Sequence, residues 1–523
     1  MNRGSALAVL LALTAAIALR VPHLALRPLH NDEGVNAVKV AELWEHGRYV
    51  YDPDEFHGPT LYYASLPFLW LSGARNPGEL HDAALRVAPV AFGVALVLLL
   101  WLLRDGLGLH ATTWAAFFVA VSPAMVFYSR YFIHEMLLVF FSALTLGALW
   151  RYWQSRSSQW AVLAGVGVGL MFATKETFII TIAAMVGAAI ATALWTHSRR
   201  HTDPPNDEAG RKSADRFVLN WRHVWLALGS TAIVWLLFFS SFFTNFQGLQ
   251  DSVRTYLPWL KRAGGNSPHI HPWHFYLQRL AWFHPVKGPI WSEGLILILA
   301  AIGGAVSLAG KKSLLHRFIA FYTLLLTAAY CAIGYKTPWC LLNFSFGMIL
   351  LAGVGAAVVI DFCRRRNLQT VAMAILAGAT GNLAWQAWRA SFVYFADQRN
   401  PYVYAQTVPD ILNLVDRVEG IARAAPGGFD TAVKVIAPDS GYWPLPWYLR
   451  RFQHVGWYEK LPADPFAPVV VVASKLDARL DDRSDRKWIM AGLTELRPGK
   501  FFELYVELDL WKKYVATLPR PRD

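Results

Sequence analysis

Charged side chains are scarce in this sequence. Asp, Glu, Lys and Arg make up only 16% of its 523 residues, against about a quarter in soluble globular domains. An ordinary water-soluble enzyme is therefore excluded. Cysteine is almost absent too: Cys331, Cys340 and Cys363 lie singly in or beside apolar runs. They form neither a CxxC metal pair nor a disulfide framework. There is no solenoid-type repeat. The abundant class is apolar, at 55%, with 14% aromatics and a mean hydropathy of +0.31. Disordered chains are poor in aromatics and rich in charge, so disorder is excluded by the same figures.

What is present is a series of long apolar runs. A helix needs about 20 mostly apolar residues to cross the hydrocarbon core. Such runs occupy 5–21, 83–103, 111–128, 133–150, 159–174, 177–195, 223–243, 294–310, 318–334, 340–360 and 369–389. This predicts an α-helical polytopic membrane protein of about 11 transmembrane helices, the first a retained signal anchor. Lys and Arg in the short connections set the orientation. With the N-terminus cytoplasmic, the inner segments hold Arg3, Arg104, Arg151, Arg156, Lys311, Lys312, Arg317 and Arg364–Arg366, whereas the short outer turns hold Arg130, Lys175 and Lys336. The polar, Pro-rich 196–222 segment is expected to be a disordered cytoplasmic linker.

The formal charge is +13, which in a soluble protein would suggest nucleic acid. Here nearly all the excess falls in the inner loops, so no nucleic-acid partner is expected; the lipid bilayer is. From residue 391 onward 18 basic side chains face 17 acidic ones. That tail carries β-rich runs at Val433–Ala437, Val469–Ala473 and Phe502–Leu508, with a helical stretch over 408–424. It is expected to form an extracytoplasmic α/β domain over 391–523, after a membrane domain over 1–390. Its segment Tyr442–Tyr448, rich in aromatics and Pro, suits either acceptor contact or packing.

Two long outer segments remain, 22–82 and 244–293. The first carries His30-Asn31-Asp32-Glu33-Gly34 and Phe56-His57-Gly58-Pro59-Thr60-Leu61-Tyr62-Tyr63. A partly desolvated carboxylate at the membrane boundary suits a general base. The plainer reading is that Asp32 and Glu33 cap the helix that follows. Context shifts the balance. The outer turns Ser129-Arg130-Tyr131-Phe132-Ile133-His134-Glu135, Thr174-Lys175-Glu176-Thr177 and Gly334-Tyr335-Lys336-Thr337-Pro338-Trp339 bring further acids and cations to the same side. An ionisable residue at the start of an apolar helix, such as Glu135, is expensive and usually functional. Lys175, Lys336 and Arg130 suit a phosphate at the lipid boundary. Asp32 would deprotonate an acceptor hydroxyl, with Glu33 or Glu135 orienting the donor sugar. The outer-face aromatics Trp44, Tyr62, Tyr63, Trp259, Trp273, Trp282 and Trp291 suit sugar stacking or an interfacial belt. His269, His271, His274 and His284 in the second segment offer metal-ligand chemistry without a local carboxylate or Cys to complete it. The segment reads equally as a lid. No cofactor is required by the sequence; a divalent metal is compatible with it.

These residues resemble the polyprenyl-phosphate-sugar-dependent glycosyltransferases of the GT-C fold. That superfamily includes protein O-mannosyltransferases and the lipid A aminoarabinose transferases. Asp32-Glu33 is similar to its first-loop acidic pair, His57–Tyr63 to its following His/Lys-x-Pro-x-x-Tyr segment, and Ser129-Arg130…Glu135 to its second-loop motif. In detail the set resembles the flippase-activity-associated membrane proteins named from archaeal N-glycosylation. The resemblance implies Asp32 as catalytic base and Glu33 and Glu135 as donor- or metal-contacting; Arg130, Lys175 and Lys336 are placed on the donor phosphate by their own chemistry. His57, Tyr62 and Glu176 would contact substrate. It implies an inverting transfer from a polyprenyl-phosphate-linked sugar to an acceptor lipid, glycan or protein. The rival implication is a flippase, or flippase partner, without bond cleavage. A translocation path should place ionisable groups deep in several spans, whereas here charge sits at their outer ends.

Overall fold

A computed structural model describes residues 3–54, 57–202, 220–264, 269–309 and 313–519. Phe56, most of the 196–222 segment, Lys311 and Lys312 lie outside them. The chain divides into two compact units.

The first unit comprises Met1–Leu24, Arg48–Ser65 and Arg86–Tyr402 and is helical. Every apolar run of the sequence coincides with a helix, because a long apolar segment in lipid can satisfy its backbone only internally. Among the described residues six helices are long and apolar enough to cross a membrane: Asp82–Leu107, Glu135–Ser155, Phe178–Ser198, Trp221–Phe239, Leu314–Ala332 and Pro338–Phe362. The run expected over 111–128 is two helices, Leu109–Val121 and Pro123–Ser129, bent by 55°. Pro123 cannot donate to the preceding turn, and the Ser122 hydroxyl caps the second helix at the Met125 amide. Counted as one span, the pair makes seven; Ala6–Arg20, Ser158–Phe172 and Gly294–Ala309 are apolar but shorter. The expected figure of eleven crossings is thus not reached by length and apolarity alone.

Helix Leu341–Phe362 runs through the middle of this unit, with glycines where neighbours come close. A Cβ on Gly355 would lie 2.0 Å from the Leu299 carbonyl oxygen, and one on Gly303 2.0 Å from that of Leu351. Small residues permit this backbone-to-backbone approach, the usual basis of helix association in lipid.

The second unit comprises Ala25–Gly47, Leu66–Leu85 and Val403–Asp523. Its sheet has five strands: β1 (Val433–Ile436), β2 (Val455–Tyr458), β3 (Val469–Ala473), β4 (Trp488–Arg497) and β5 (Lys500–Glu507). The order is β2-β1-β3-β5-β4, with β1 parallel to β2 and β3, and β5 antiparallel to β3 and β4. Ile436, Val470, Val472, Leu480 and Tyr505 form its core. Helix Asp410–Ala424 buries Ile411, Leu414, Val415, Val418, Ile421 and Ala422, one face at helical spacing. The first-loop helix Asn31–His46 belongs here. Gly34 sits against Pro444, where a Cβ would approach Pro444 Cβ to 2.5 Å. The Trp447 indole and Tyr448 hydroxyl both donate to the Asp82 carboxylate, at 2.7 and 2.9 Å. The Tyr442–Tyr448 segment therefore packs, with Leu445 and Trp447 fully buried.

Candidate functional site

In the helical unit three connections distant in sequence converge. Residues 58–60 pair with 173–174 like a short ladder: Gly58 N–H donates to Thr174 O (3.1 Å) and Thr60 N–H to Ala173 O (3.0 Å). The two threonine hydroxyls meet at 2.8 Å. Only glycine fits at 58, since a Cβ would lie 2.2 Å from the Ala173 oxygen. The third connection enters through His134, whose Nε2 donates to Gly58 O at 2.9 Å.

This ladder aligns four titratable side chains. Lys175, on the turn before helix Phe178–Thr202, forms an ion pair with Glu135 at the first turn of helix Glu135–Ser155. Both are almost wholly buried. Burial alone would lower the Lys175 pKa, but the Glu135 carboxylate outweighs it and holds the ammonium charged. Next along the turn, Glu176 accepts from His57 Nδ1 at 2.8 Å and from the Tyr51 hydroxyl at 3.4 Å. Burial opposes ionisation of Glu176, yet His57 brings its pKa below the ordinary carboxylate value. The His57 side chain is 40% exposed against 6% for Glu176, so His57 is the member of the pair that solvent or a ligand reaches.

His134 behaves differently. Burial, with His57 and Lys175 nearby, pushes its pKa well below the ordinary value. With Nε2 donating, its Nδ1 is a buried acceptor with no hydrogen-bond partner among the described residues. The Tyr62 ring is enclosed, 4.9 Å from the Tyr49 ring and 5.5 Å from that of His134.

The other two expected cations serve the backbone. Arg130 donates to the carbonyls of Arg20, Pro22 and His23 at 2.7, 2.7 and 3.0 Å, and lies 4.4 Å from the Phe392 ring. Lys336 Nζ donates to the carbonyls of His271 (3.1 Å) and Ile333. An isolated Ile270–Tyr335 bridge sits beside it. His271 stacks on Phe275 at 4.1 Å, and His269 meets Tyr335 edge-on. Among the described residues no three of His, Cys, Asp and Glu gather to hold a metal ion.

In the second unit the adjacent acids Asp32 and Glu33 diverge, as successive helical residues must. Glu33 completes a capping box: its carboxylate accepts from the His30 amide at 2.9 Å, and Arg27 lies 3.4 Å away. It is fully buried. The His30 ring accepts from the Asp32 amide at 3.1 Å. Burial lowers the His30 pKa, opposed by Asp32 and Glu33 and assisted by Arg497 and Arg27. The Asp32 carboxylate itself points outward, 43% exposed. Of the pair, Asp32 is the one open to a reactant.

Comparison with known proteins bears on these arrangements. The family model for dolichyl-phosphate-mannose-protein mannosyltransferases matches residues 76–203. No curated protein matches the sequence significantly. Among solved structures, ArnT from Cupriavidus metallidurans bound to undecaprenyl phosphate aligns over 99% of both chains, with a TM-score of 0.60 and 15% identity. The fold is GT-C. The oligosaccharyltransferase of Archaeoglobus fulgidus, tethered to an acceptor peptide, aligns over 88% of this chain with a TM-score of 0.54 and 13% identity. This chain spans 64% of that one. The same organism's oligosaccharyltransferase AglB, in complex with an inhibitory peptide and a dolichol-phosphate, gives a TM-score of 0.52 at 12% identity, over 91% of this chain and 70% of that one.

Within this GT-C framework several polar residues escaped the sequence reading. Glu293 is buried and accepts from the Ser122 hydroxyl (2.7 Å), the Ala124 amide (2.9 Å) and the Tyr402 hydroxyl (2.7 Å). It clamps the bend at Ser122–Pro123. The signal was available, since Glu293 opens an apolar run just as Glu135 does. His134 lay inside a quoted motif without a role. Tyr51 and Arg497 carried no local signal at all.

Proposed function

We propose that this protein is a membrane glycosyltransferase that moves a sugar from a polyprenyl-phosphate carrier to a lipid, glycan or protein acceptor on the outer face of the cytoplasmic membrane. The observation that carries the reading is the convergence of two acid–base pairs, Glu135 with Lys175 and His57 with Glu176, on neighbouring loops of the GT-C fold. A helix bundle with a purely structural role has no use for such charges at the ends of its apolar helices, where they are costly. Fold alone does not fix activity, so these side chains carry the weight. The ArnT structure holds undecaprenyl phosphate and the AglB structure a dolichol-phosphate, both phosphate carriers of the class proposed here.

In this reading Asp32 accepts the proton of an acceptor hydroxyl. The hydroxyl oxygen attacks the anomeric carbon as the carbon–oxygen bond to the carrier phosphate breaks, inverting the configuration. The phosphate leaves as an anion and needs charge neutralisation more than protonation, which Lys175, steadied by Glu135, supplies. His57, oriented by Glu176, contacts the donor. Arg130 and Lys336 are not assigned to the phosphate, since both bind main-chain carbonyls.

The test is transfer of labelled sugar from a polyprenyl-phosphate donor by purified protein. Asp32→Asn is expected to fold normally and lose roughly 10²–10⁴-fold in rate, as for a missing general base. Glu33→Ala is the contrasting variant, expected to lose about 3–5 kcal/mol of stability, because it removes both the cap and the buried carboxylate beside Arg27. Unchanged transfer by Asp32→Asn would sink the base assignment. Donor-lipid translocation in vesicles, with no transfer by the wild type, would show a flippase instead.

A further inference from the structure

The sheet of the second unit contains a crevice that the transfer reaction as described does not use. β1 and β3 are adjacent and parallel. The chain leaving β1 runs to β2 on one side, and the chain leaving β3 runs toward β4 and β5 on the other. In open α/β sheets such a divergence leaves a crevice at the carboxyl ends of the strands, the general ligand position of this architecture. A cavity of about 260 Å³ lies there, several times the ~30 Å³ share of a water molecule.

Its lining is cationic. Lys475 follows β3, Arg497 ends β4 and Lys500 begins β5, against a single acid, Asp439, after β1. Asp439 lies 3.7 Å from Lys475, but both are largely exposed, so the contact neutralises little. Ser474, Gly441 and Gly499 complete the polar wall, with Phe501 and Phe502 beside them. Arg497 is the fixed element. Its Nη2 donates to Trp443 O (2.7 Å) and Gly441 O (3.2 Å), and lies 3.4 Å from Asn31 Oδ1. Its Nε is buried with no hydrogen-bond partner among the described residues. A guanidinium fixed by backbone carbonyls through Nη2, with a buried Nε–H that has no partner among the described residues and two lysines alongside, is suited to an oxyanion. Asn31, which Arg497 approaches, precedes Asp32 in the sequence, so the crevice adjoins the residue assigned as base.

We infer that this crevice binds a phosphoryl group carried by the sugar acceptor. The anion chemistry stands on the lining alone; its attribution to the acceptor rests on the transferase reading, because the hydroxyl that Asp32 would deprotonate belongs to the acceptor. Carboxylates are the poorer match: three cationic groups converge, and a phosphoryl group offers three oxygens.

Calorimetric titration of the full-length protein in phosphatidylcholine nanodiscs tests this, with inorganic phosphate and sn-glycerol 3-phosphate as probes. The wild type is expected to bind sn-glycerol 3-phosphate, and the double variant Lys475→Ala/Lys500→Ala at least tenfold more weakly. Both lysines are exposed, so the variant should melt as the wild type does. Nanodiscs containing phosphatidic acid separate the sources. Suppressed titration there identifies a lipid headgroup, and unaltered titration a soluble or glycan-borne phosphate; each supports the site. Absence of binding by the wild type, or equal binding by the double variant, overturns it. Asp32→Asn is expected to bind the probe normally. Transfer that survives Asp32→Asn defeats the base assignment, and with it the attribution to the acceptor, while leaving the anion site intact; absence of transfer by the wild type defeats the transferase reading. Loss of transfer in Asp32→Asn without any probe binding by the wild type defeats the anion site alone.

Discussion

His57 and Glu176, 119 residues apart in the chain, meet at 2.8 Å between Nδ1 and Oε2. The contact joins the 22–82 segment to the turn after helix Ser158–Phe172, and it makes the fold sensitive to acid. Because burial is outweighed by His57, the native Glu176 pKa lies below its ordinary 4.5. A group depressed in this way contributes stability above its unfolded pKa and loses it as pH falls through the native value. Thermal melting in detergent should therefore decline from about pH 4.5 downward. Glu176→Gln should flatten that decline and cost on the order of 1 kcal/mol at neutral pH, a modest figure because His57 is partly solvated. A variant whose melting kept the wild-type acid limb would show that the pair does not titrate this way.

Glu135 and Lys175 are both buried, so removing one leaves the other uncompensated. Lys175→Met alone and Glu135→Leu alone are each expected to destabilise by about 3–5 kcal/mol, whereas the double variant should recover much of the loss. A double-mutant cycle on melting midpoints checks this. Sugar transfer should stay absent in the double variant even where the fold returns. Additive single effects would mean the two charges do not interact.

Gly58 is fixed by the approach of the Ala173 carbonyl. Gly58→Ala is expected to pry apart the 58–60 and 173–174 pairing at a cost of about 1–3 kcal/mol. Amide exchange at Gly58 and Thr60 should accelerate, and His57 should lose its alignment on Glu176. Exchange rates equal to wild type would show that the ladder tolerates a side chain.

The helical unit was legible in the sequence because length and apolarity leave a lipid-embedded segment one conformation. The strands were legible only where strand-favouring residues cluster, valines at β1 and β3 and Phe501, Phe502, Tyr505 and Val506 at β5. β2 (Val455–Tyr458) and β4 (Trp488–Arg497) mix polar, aromatic and glycine residues and are ordered by the neighbours they pair with, so local pattern did not reveal them. At the site, the motifs His57–Thr60, His134–Glu135 and Thr174–Thr177 were visible as polar islands. Their pairing was not, since main-chain hydrogen bonds between distant loops leave no mark on side-chain type. The sequence put both acids at the reaction, Asp32 as base and Glu33 on the donor. The capping box, set by the geometry of one helical turn, separates them into an interior acid and an outward one.

The glycines of helix Leu341–Phe362 have a mechanical consequence. Gly347 abuts Thr323, Gly353 the Ala111 carbonyl and Gly355 the Leu299 carbonyl, on three different helices. A turn of this helix about its axis would drive a larger side chain into Thr323 or into the backbone at Ala111 and Leu299. It is a locked mast, and any rearrangement within this unit must pivot elsewhere. The bend at Ser122–Pro123 is fixed as well, by the carboxylate of Glu293.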